Sequence, residues 1–336
     1  MSRLILIRVV LVLASLACLA VRSAHVSAAV TYQAAGNAVS GVTSTGIGAN
    51  PAWPAHAVND IALLFIESTG GQAVTLGVPN GFVAVANSPQ ATGAGTAGTQ
   101  LSVFWARATS TAMARPIIAS PSDHFYAQII TFRGVLSGGN PIDATAGGVK
   151  AAASTSVTLG GVTTTVANAL VVQAVARDND SAAAAFSAQA NATLTGITER
   201  LDAGTANGNG GGLGVWSGVK AAAGATGNTT ATVSNSTNAF LTIALKPQPG
   251  ASFQAAGAAV QGTGAVTPAW PAHAIGDLAL LFVESTGGQA ATLSTPAGFA
   301  AVLNSPQASG AGLAGTRISV FWARATSATM APPTVA

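Results

Sequence analysis

The chain has 336 residues, of which 49% are hydrophobic and only 7% are charged, and its formal net charge is +3. This composition excludes intrinsic disorder, because disordered chains combine low hydrophobicity with high net charge. It is typical of short, tightly packed strands with small residues at the turns.

The N-terminus has the three-part pattern of a secretory signal peptide. Two arginines precede an apolar run over residues 9–21, and Val26 and Ala28 occupy positions −3 and −1 of a cleavage site. The run is shorter than the ~18–20 apolar residues of a spanning helix, which favours cleavage over a membrane anchor. We therefore predict a signal peptide at residues 1–28, no membrane span after cleavage, and export to the extracellular space or bacterial cell surface.

Cleavage changes both the charge and the thiol content. Three of the 13 basic residues and none of the 10 acidic residues precede residue 29, so the mature chain is neutral. A neutral chain without a basic run argues against nucleic-acid binding. The only cysteine, Cys18, leaves with the signal, which excludes disulfides and cysteine-ligated zinc. The alternative, a lipid anchor on Cys18, requires a cleavage box that the preceding Ser-Leu-Ala matches poorly.

Short β-strands separated by turn residues are predicted along the chain. The apolar or alternating segments are 61–66, 82–86, 101–107, 126–133, 155–159, 169–176, 213–219, 230–233 and 239–245. This spacing predicts an all-β fold, an antiparallel, jelly-roll-like β-sandwich. Alternation in 126–133 predicts one core face and one wetter face. The alanine-rich stretch 180–192 is either a helix or a wide loop with one helical turn.

A domain-sized repeat organises the chain. Residues 52–116 match 269–333 without gaps, with 48 identities in 65 positions. A period near 217 residues is far above that of solenoids and indicates tandem domains. We predict one β-sandwich repeat at 29–248 and an incomplete second copy at 249–336. Half a sandwich would leave a strand edge and an apolar face exposed, which predicts self-association through the second copy.

The repeated "AWPAH" supplies the candidate ligand-binding residues. Trp53 and His56 recur as Trp270 and His273, each tryptophan between an alanine and a proline. A rigid, extended tryptophan could stack on a sugar ring. The structural alternative is a tryptophan that covers the end of the sandwich, with the histidine exposed beside it.

Metal and catalytic residues form no recognisable motif. Asp178 and Asp180 are spaced for alternating calcium ligands, but four alanines follow where a calcium loop needs a turn glycine and a bidentate acid, which favours a polar turn. Asp123 and His124 are adjacent, and neighbours in a strand point to opposite faces. No nucleophile elbow or zinc-protease motif is present, so we predict no cofactor and a non-enzymatic protein.

Several quoted stretches carry a family resemblance. These include "GDLALLFVESTGGQA", "GTRISVFWARAT", "ITFRGV", "GNPIDATAGGVK" and "LTIALKP". With them the chain resembles a β-sandwich repeat module of bacterial secreted, surface and phage tail-associated proteins, including the N-terminal part of accessory surface proteins of the mannose-sensitive haemagglutinin pilus. The resemblance implies an adhesive or structural role and supplies no catalytic residues.

Two functional hypotheses follow from these observations. The first is a non-enzymatic exported protein whose tandem modules act in adhesion or as a structural spacer, with a surface glycan or another surface protein as its partner. The second is a carbohydrate-binding module, free or attached to a downstream hydrolase, in which Trp53 and Trp270 stack on sugar.

Overall fold

The computed structural model describes residues 29–41, 49–72, 74–93, 98–119, 123–251, 253–310 and 312–336. The predicted signal peptide at 1–28, with Cys18, lies outside these ranges. The described residues belong to two compact units, one over 29–251 and one over 253–336. No helix within these ranges is long and apolar enough to cross a membrane.

The first nine strands build one half of the 29–251 unit. They are β1 (Thr31–Ala35), β2 (Val39–Gly41), β3 (Ile61–Thr69), β4 (Thr75–Val78), β5 (Val83–Ala84), β6 (Gln90–Ala91), β7 (Thr99–Arg107), β8 (Ile117–Ala119) and β9 (Phe125–Arg133). Seven of them form an antiparallel sheet in the order β1-β9-β3-β7-β5, with β2 on β9 and β6 on β7. The two remaining strands, β4 and β8, pair with each other.

The next eight strands build the other half. They are β10 (Ile142–Leu159), β11 (Thr163–Thr164), β12 (Ala169–Arg177), β13 (Phe186–Ala190), β14 (Thr195–Thr205), β15 (Gly211–Lys220), β16 (Gly224–Ala225) and β17 (Thr229–Leu245). Six of them form a second antiparallel sheet in the order β10-β17-β12-β15-β14, with β13 on β17. Each sheet is thus made of strands that are close in sequence.

The two sheets pack face to face around one apolar core. Odd-numbered side chains of β3 from Ile61 to Phe65 meet even-numbered side chains of β12 from Leu170 to Ala176 in this core. Period-two alternation places these side chains on a single face of each strand. The result is a β-sandwich, which confirms the predicted all-β class; strands account for 52% and helix for 1% of the structure.

The outer face of the first sheet is also covered. Even-numbered side chains of β3 from Ala62 to Ile66 form a second core with Ile118 of β8, Phe82 and, at its margin, Trp53. The prediction that one face of 126–133 is wetter is therefore wrong, since Ala127, Ile129 and Thr131 on one face and Ile130 and Phe132 on the other are all fully buried. Phe82 and Trp53 are distant from β9 in sequence, so the alternation in β9 alone could not reveal this cover.

The alanine-rich stretch 180–192 contains strand β13 and bends, and no helix. Phe186 at the start of β13 enters a third core, where its ring lies 6.0 Å from the ring of the fully buried Trp216. Packing of one aromatic residue thus outweighs the helical preference of the alanines.

The 253–336 unit rebuilds only part of this architecture. Its elements are β18 (Leu278–Thr286), β19 (Leu293–Thr295), β20 (Ala300–Ala301), β21 (Gln307–Ser309), a 3-10 helix (Gly312–Ala314), β22 (Thr316–Arg324) and β23 (Thr334–Val335). The sheet order is β18-β22-β20, with β21 also on β22, and β19 pairs with β23. Strand β18 has one neighbour in the described residues, whereas its counterpart β3 lies between β7 and β9.

Candidate functional site

A shallow depression of about 470 Å³ lies on the outer side of the first sheet. Its walls are formed by Ala52, Trp53, Pro54, Ala55, His56, Thr111, Ala112, Met113 and Arg115. The indole of Trp53 lies 5.3 Å from the ring of Phe82 and 4.8 Å from the imidazole of His56. The sequence-predicted pair is therefore brought together, and the tryptophan covers the outer sheet face rather than the end of the sandwich.

Hydrogen bonds fix the orientation of both rings. The indole Nε1 of Trp53 donates to the carbonyl oxygen of Ala114 at 3.2 Å. Nδ1 of His56 lies 2.7 Å from the carbonyl oxygen of Pro54, and it must donate because a carbonyl oxygen only accepts. In the neutral imidazole Nε2 is then an acceptor, and it has no donor within the described part of the chain. The histidine is half-buried, not exposed as the structural alternative expected.

Three neighbouring groups hold the loop that carries these rings. Asp60 accepts hydrogen bonds from Nε and NH2 of Arg133 at 2.9 and 2.8 Å and from the backbone N–H of Ala57 at 2.7 Å. The hydrogen bond and charge of Asp60 raise the pKa of Arg133. Gly36 passes so close to the carbonyl of Ala52 that a Cβ there would overlap it. The bidentate ion pair between Asp60 and Arg133 therefore anchors this proline-containing loop to β9.

The same geometry recurs in the 253–336 unit. Trp270 lies 4.8 Å from His273 and 5.2 Å from Phe299, ring centroid to ring centroid. Its Nε1 donates to Ala331 at 3.2 Å, and Nδ1 of His273 donates to Pro271 at 2.7 Å. The main chemical difference is that proline occupies the position of Arg115, at residue 332. Both copies thus offer an aromatic surface beside an imidazole, and only the first adds a guanidinium.

A second polar constellation lies inside the sandwich. Glu67 at the inner face of β3 is fully buried, and its Oε1 accepts from Thr99 Oγ1 at 2.9 Å and lies 3.0 Å from His124 Nε2. Nδ1 of His124 lies 3.4 Å from Thr69 Oγ1 and 3.7 Å from Asp123 Oδ2. Asp123 and His124 precede β9 rather than lying within it, so the opposite-face argument does not hold there.

Burial dominates the electrostatics of this pair. Desolvation raises the pKa of Glu67 above its ordinary value of 4.5, against the opposing effects of His124, Thr99 and Arg177. Desolvation alone would lower the pKa of His124, but the hydrogen bond and charge of Glu67, assisted by Asp123, raise it above 6.5. The folded pair therefore holds its protons more tightly than the separated groups do in water.

Arg177, at the end of β12, fastens the loop that carries the predicted metal candidates. Its NH1 donates to the backbone oxygen of Asn179 at 2.6 Å, and its NH2 donates to Ser181 and Ala183 at 2.9 Å each. Burial lowers the pKa of this arginine. A fully buried guanidinium that satisfies backbone carbonyls shapes a loop and has no face directed to solvent.

The two candidate calcium ligands have structural neighbours instead. Both carboxylate oxygens of Asp178 accept hydrogen bonds from Thr237, at 2.9 and 2.8 Å. Asp180 packs against Gly210, where a Cβ would overlap its carboxylate. In the described ranges no three His, Cys, Asp or Glu side chains gather as a metal site.

Glu67 and Arg177 are not among the residues predicted from the sequence. The alternation in "IALLFIEST" could have shown the position of Glu67. Side chains two residues apart in a strand lie on the same face, and Glu67 continues the series of core-facing residues Ile61, Leu63 and Phe65. An acid on the core-facing side of an apolar strand requires a buried partner. That the partner would be His124 depends on the pairing of β3 with β9, which the sequence does not state.

In comparisons with protein-family models, curated proteins and solved structures, no match to this chain was found.

Proposed function

We propose that the chain is a non-catalytic, exported surface or extracellular protein whose tandem β-sandwich modules act in adhesion or as a structural spacer. The observation that carries the proposal is the repeated strand pair. The β18–β22 pairing, from Leu278 opposite Arg324 to Thr286 opposite Thr316, has the register of the β3–β7 pairing. A recurring unit suits spacing or multivalent attachment, since linked modules increase avidity without new contacts.

The sealed acid–base pair supports a non-catalytic role. Glu67 and His124 are 0% and 1% exposed, so a substrate in solvent cannot approach them while the sandwich is folded. A general base must come within hydrogen-bond reach of the proton that it removes. The pair instead connects β3 to the segment before β9 and serves the fold.

Export is tested by following the N-terminus. The full chain would be expressed in a bacterial host, and the surface and medium fractions would be analysed by mass spectrometry. We expect a mature N-terminus at Ala29, and a variant with acidic residues at Arg3 and Arg8 should be retained in the cell. Recovery of only the uncleaved chain inside the cell would refute export.

Adhesion is tested with the mature chain on beads. We expect beads that carry residues 29–336 to attach to bacterial surfaces or glycan-coated plates, and beads that carry a heat-unfolded sample to stay free. A parallel screen with common polysaccharides and esters should show no hydrolysis. Turnover of any of these substrates that scales with folded protein would count against the proposal.

Carbohydrate binding is the second candidate, and the recurring tryptophan–histidine depression favours it. The half-buried indole of Trp53 can stack on the apolar face of a sugar ring, and the exposed Arg115 in the same depression can donate hydrogen bonds to its hydroxyls. On a glycan array, Trp53→Ala and Trp270→Ala should each weaken retention, and the double variant should abolish it. Phe253→Ala, which removes a 75% exposed aromatic outside the depression, is the matched control. Retention unchanged in the double variant would exclude this site.

A further inference from the structure

The 253–336 unit carries an exposed apolar sheet face. Its members are Leu278 (57% exposed), Leu280 (51%), Phe282 (62%), Ile318 (43%) and Trp322 (41%). The counterparts in the other unit face the core between the two sheets, where Ile61, Leu63 and Phe65 are fully buried. A contiguous apolar face of this kind marks an interaction surface in a soluble protein.

The strand register shows that these side chains lie on one side of the sheet. Leu280 is opposite Trp322, and residues directly opposite in an antiparallel pair point to the same face. Two charged residues terminate the same face. Arg324 is opposite Leu278 at one end, and Glu284 is opposite Ile318 about 20 Å away at the other, at ~3.3 Å per residue.

We propose that this face is the docking site for the same face of a second copy of the chain. The two β18–β22 sheets stack face to face, about 10 Å apart, as the sheets of a β-sandwich do. The contact is isologous, since the same patch is used on both copies around a two-fold axis. This interface is independent of the proposed adhesive or spacer function.

Charge selects the orientation of the second copy. A two-fold axis perpendicular to the strands reverses the strand direction, so that Glu284 of one copy lies at the same end as Arg324 of the other, on adjacent strands. An axis parallel to the strands would instead place Arg324 beside Arg324 and Glu284 beside Glu284. Like charges that face each other across an interface weaken it, so only the first arrangement is complementary.

The polar side chains are compatible with this role. Within the described part of the chain, the carboxylate of Glu284 has no hydrogen bond or ion pair, whereas that of its counterpart Glu67 is bonded to Thr99 and His124. Arg324 is exposed, and its NH1 donates to the carbonyl of Gly276 at 2.8 Å, which leaves NH2 for the second copy. A central apolar patch with a polar rim is the usual anatomy of a protein interface.

The oligomeric state of the full chain tests the proposal. Light scattering coupled to gel filtration, and sedimentation velocity, should show a dimer. Phe282→Asp should raise the dimer Kd at least about tenfold. Leu303→Asp and Ile275→Asp, at positions 88% and 70% exposed outside the face, should leave the Kd unchanged. A monomeric wild-type chain, or a dimer indifferent to Phe282→Asp, would overturn the proposal; the face then belongs to another occupant.

Charge reversal tests the orientation separately. Glu284→Arg and Arg324→Glu should each raise the Kd about tenfold, because each creates two like-charge contacts in the symmetric dimer. The double variant, Glu284→Arg with Arg324→Glu, should return the Kd to within about threefold of wild type. Additive losses in the double variant would overturn the two-fold arrangement. Non-specific apolar aggregation would also fail this test, since it would not respond to the exchange of the two charges.

Discussion

Replacement of His124 by alanine tests how much the buried pair of Glu67 and His124 contributes to the stability of the sandwich. The histidine contacts Glu67 at 3.0 Å, and both side chains are buried between the strands. His124→Ala leaves the carboxylate of Glu67 with the hydroxyl of Thr99 as its hydrogen-bond donor and no nearby imidazole charge. Because a buried carboxylate cannot recruit water, the folded state loses the compensation for its desolvation.

The expected loss is large for a single substitution. Breaking a buried pair by removal of one partner costs about 3–5 kcal/mol. For a domain of roughly 150–250 residues, each kcal/mol lowers Tm by about 2–4 °C, so Tm should fall by about 6–20 °C. His56→Ala is the matched control, since the same substitution at a half-buried surface position should cost less than about 1 kcal/mol.

Calorimetry of the full chain, with urea unfolding as a second probe, measures this loss. A double-mutant cycle with Glu67→Gln isolates the pair, because the neutral amide no longer needs the imidazole. We expect a coupling energy of at least about 1 kcal/mol between positions 67 and 124. Equal losses in His124→Ala and His56→Ala, or additive effects in the cycle, would refute the reasoning.

Three other predictions concern the same fold. The pKa values of Glu67 and His124 are both raised in the folded state, so that state binds more protons than the unfolded chain from pH 4.5 to above 6.5. The free energy of unfolding should therefore fall as pH rises through this window. Urea midpoints measured at about pH 5 and pH 8 should show the fall, and a flat profile would contradict it. Gly211→Ala places a Cβ onto the Glu67 carboxylate and should cost about 1–3 kcal/mol by urea unfolding, whereas Gly138→Ala, with nothing within 4 Å, should be neutral or slightly stabilising. Limited proteolysis should degrade the 253–336 unit first and leave a core that ends near Ala251, and equal resistance of the two units would be inconsistent with the exposed face.

Some features of the site were accessible from the sequence. The tryptophan and histidine of "AWPAH" are three residues apart, and the flanking prolines restrict the backbone, so their proximity is a local property. The repeat likewise predicts that the same arrangement occurs twice, as the matching ring distances show. The depression itself needs Met113 and Arg115, which the β7–β8 connection brings to the loop.

The sequence by itself determined the all-β class, the positions of most strands and the repetition of a half-domain, because period-two alternation and turn residues act over a few neighbours. Only the tertiary structure decided that β9 is buried on both faces, that residues 186–190 extend as β13, and that Glu67 faces His124. Each of these depends on a covering layer or on strands that are distant in sequence, as in the pairing of Phe186 with Val233 and the contact of Glu67 with His124. Contacts of that kind are set by the packing of whole sheets, and no local pattern encodes them.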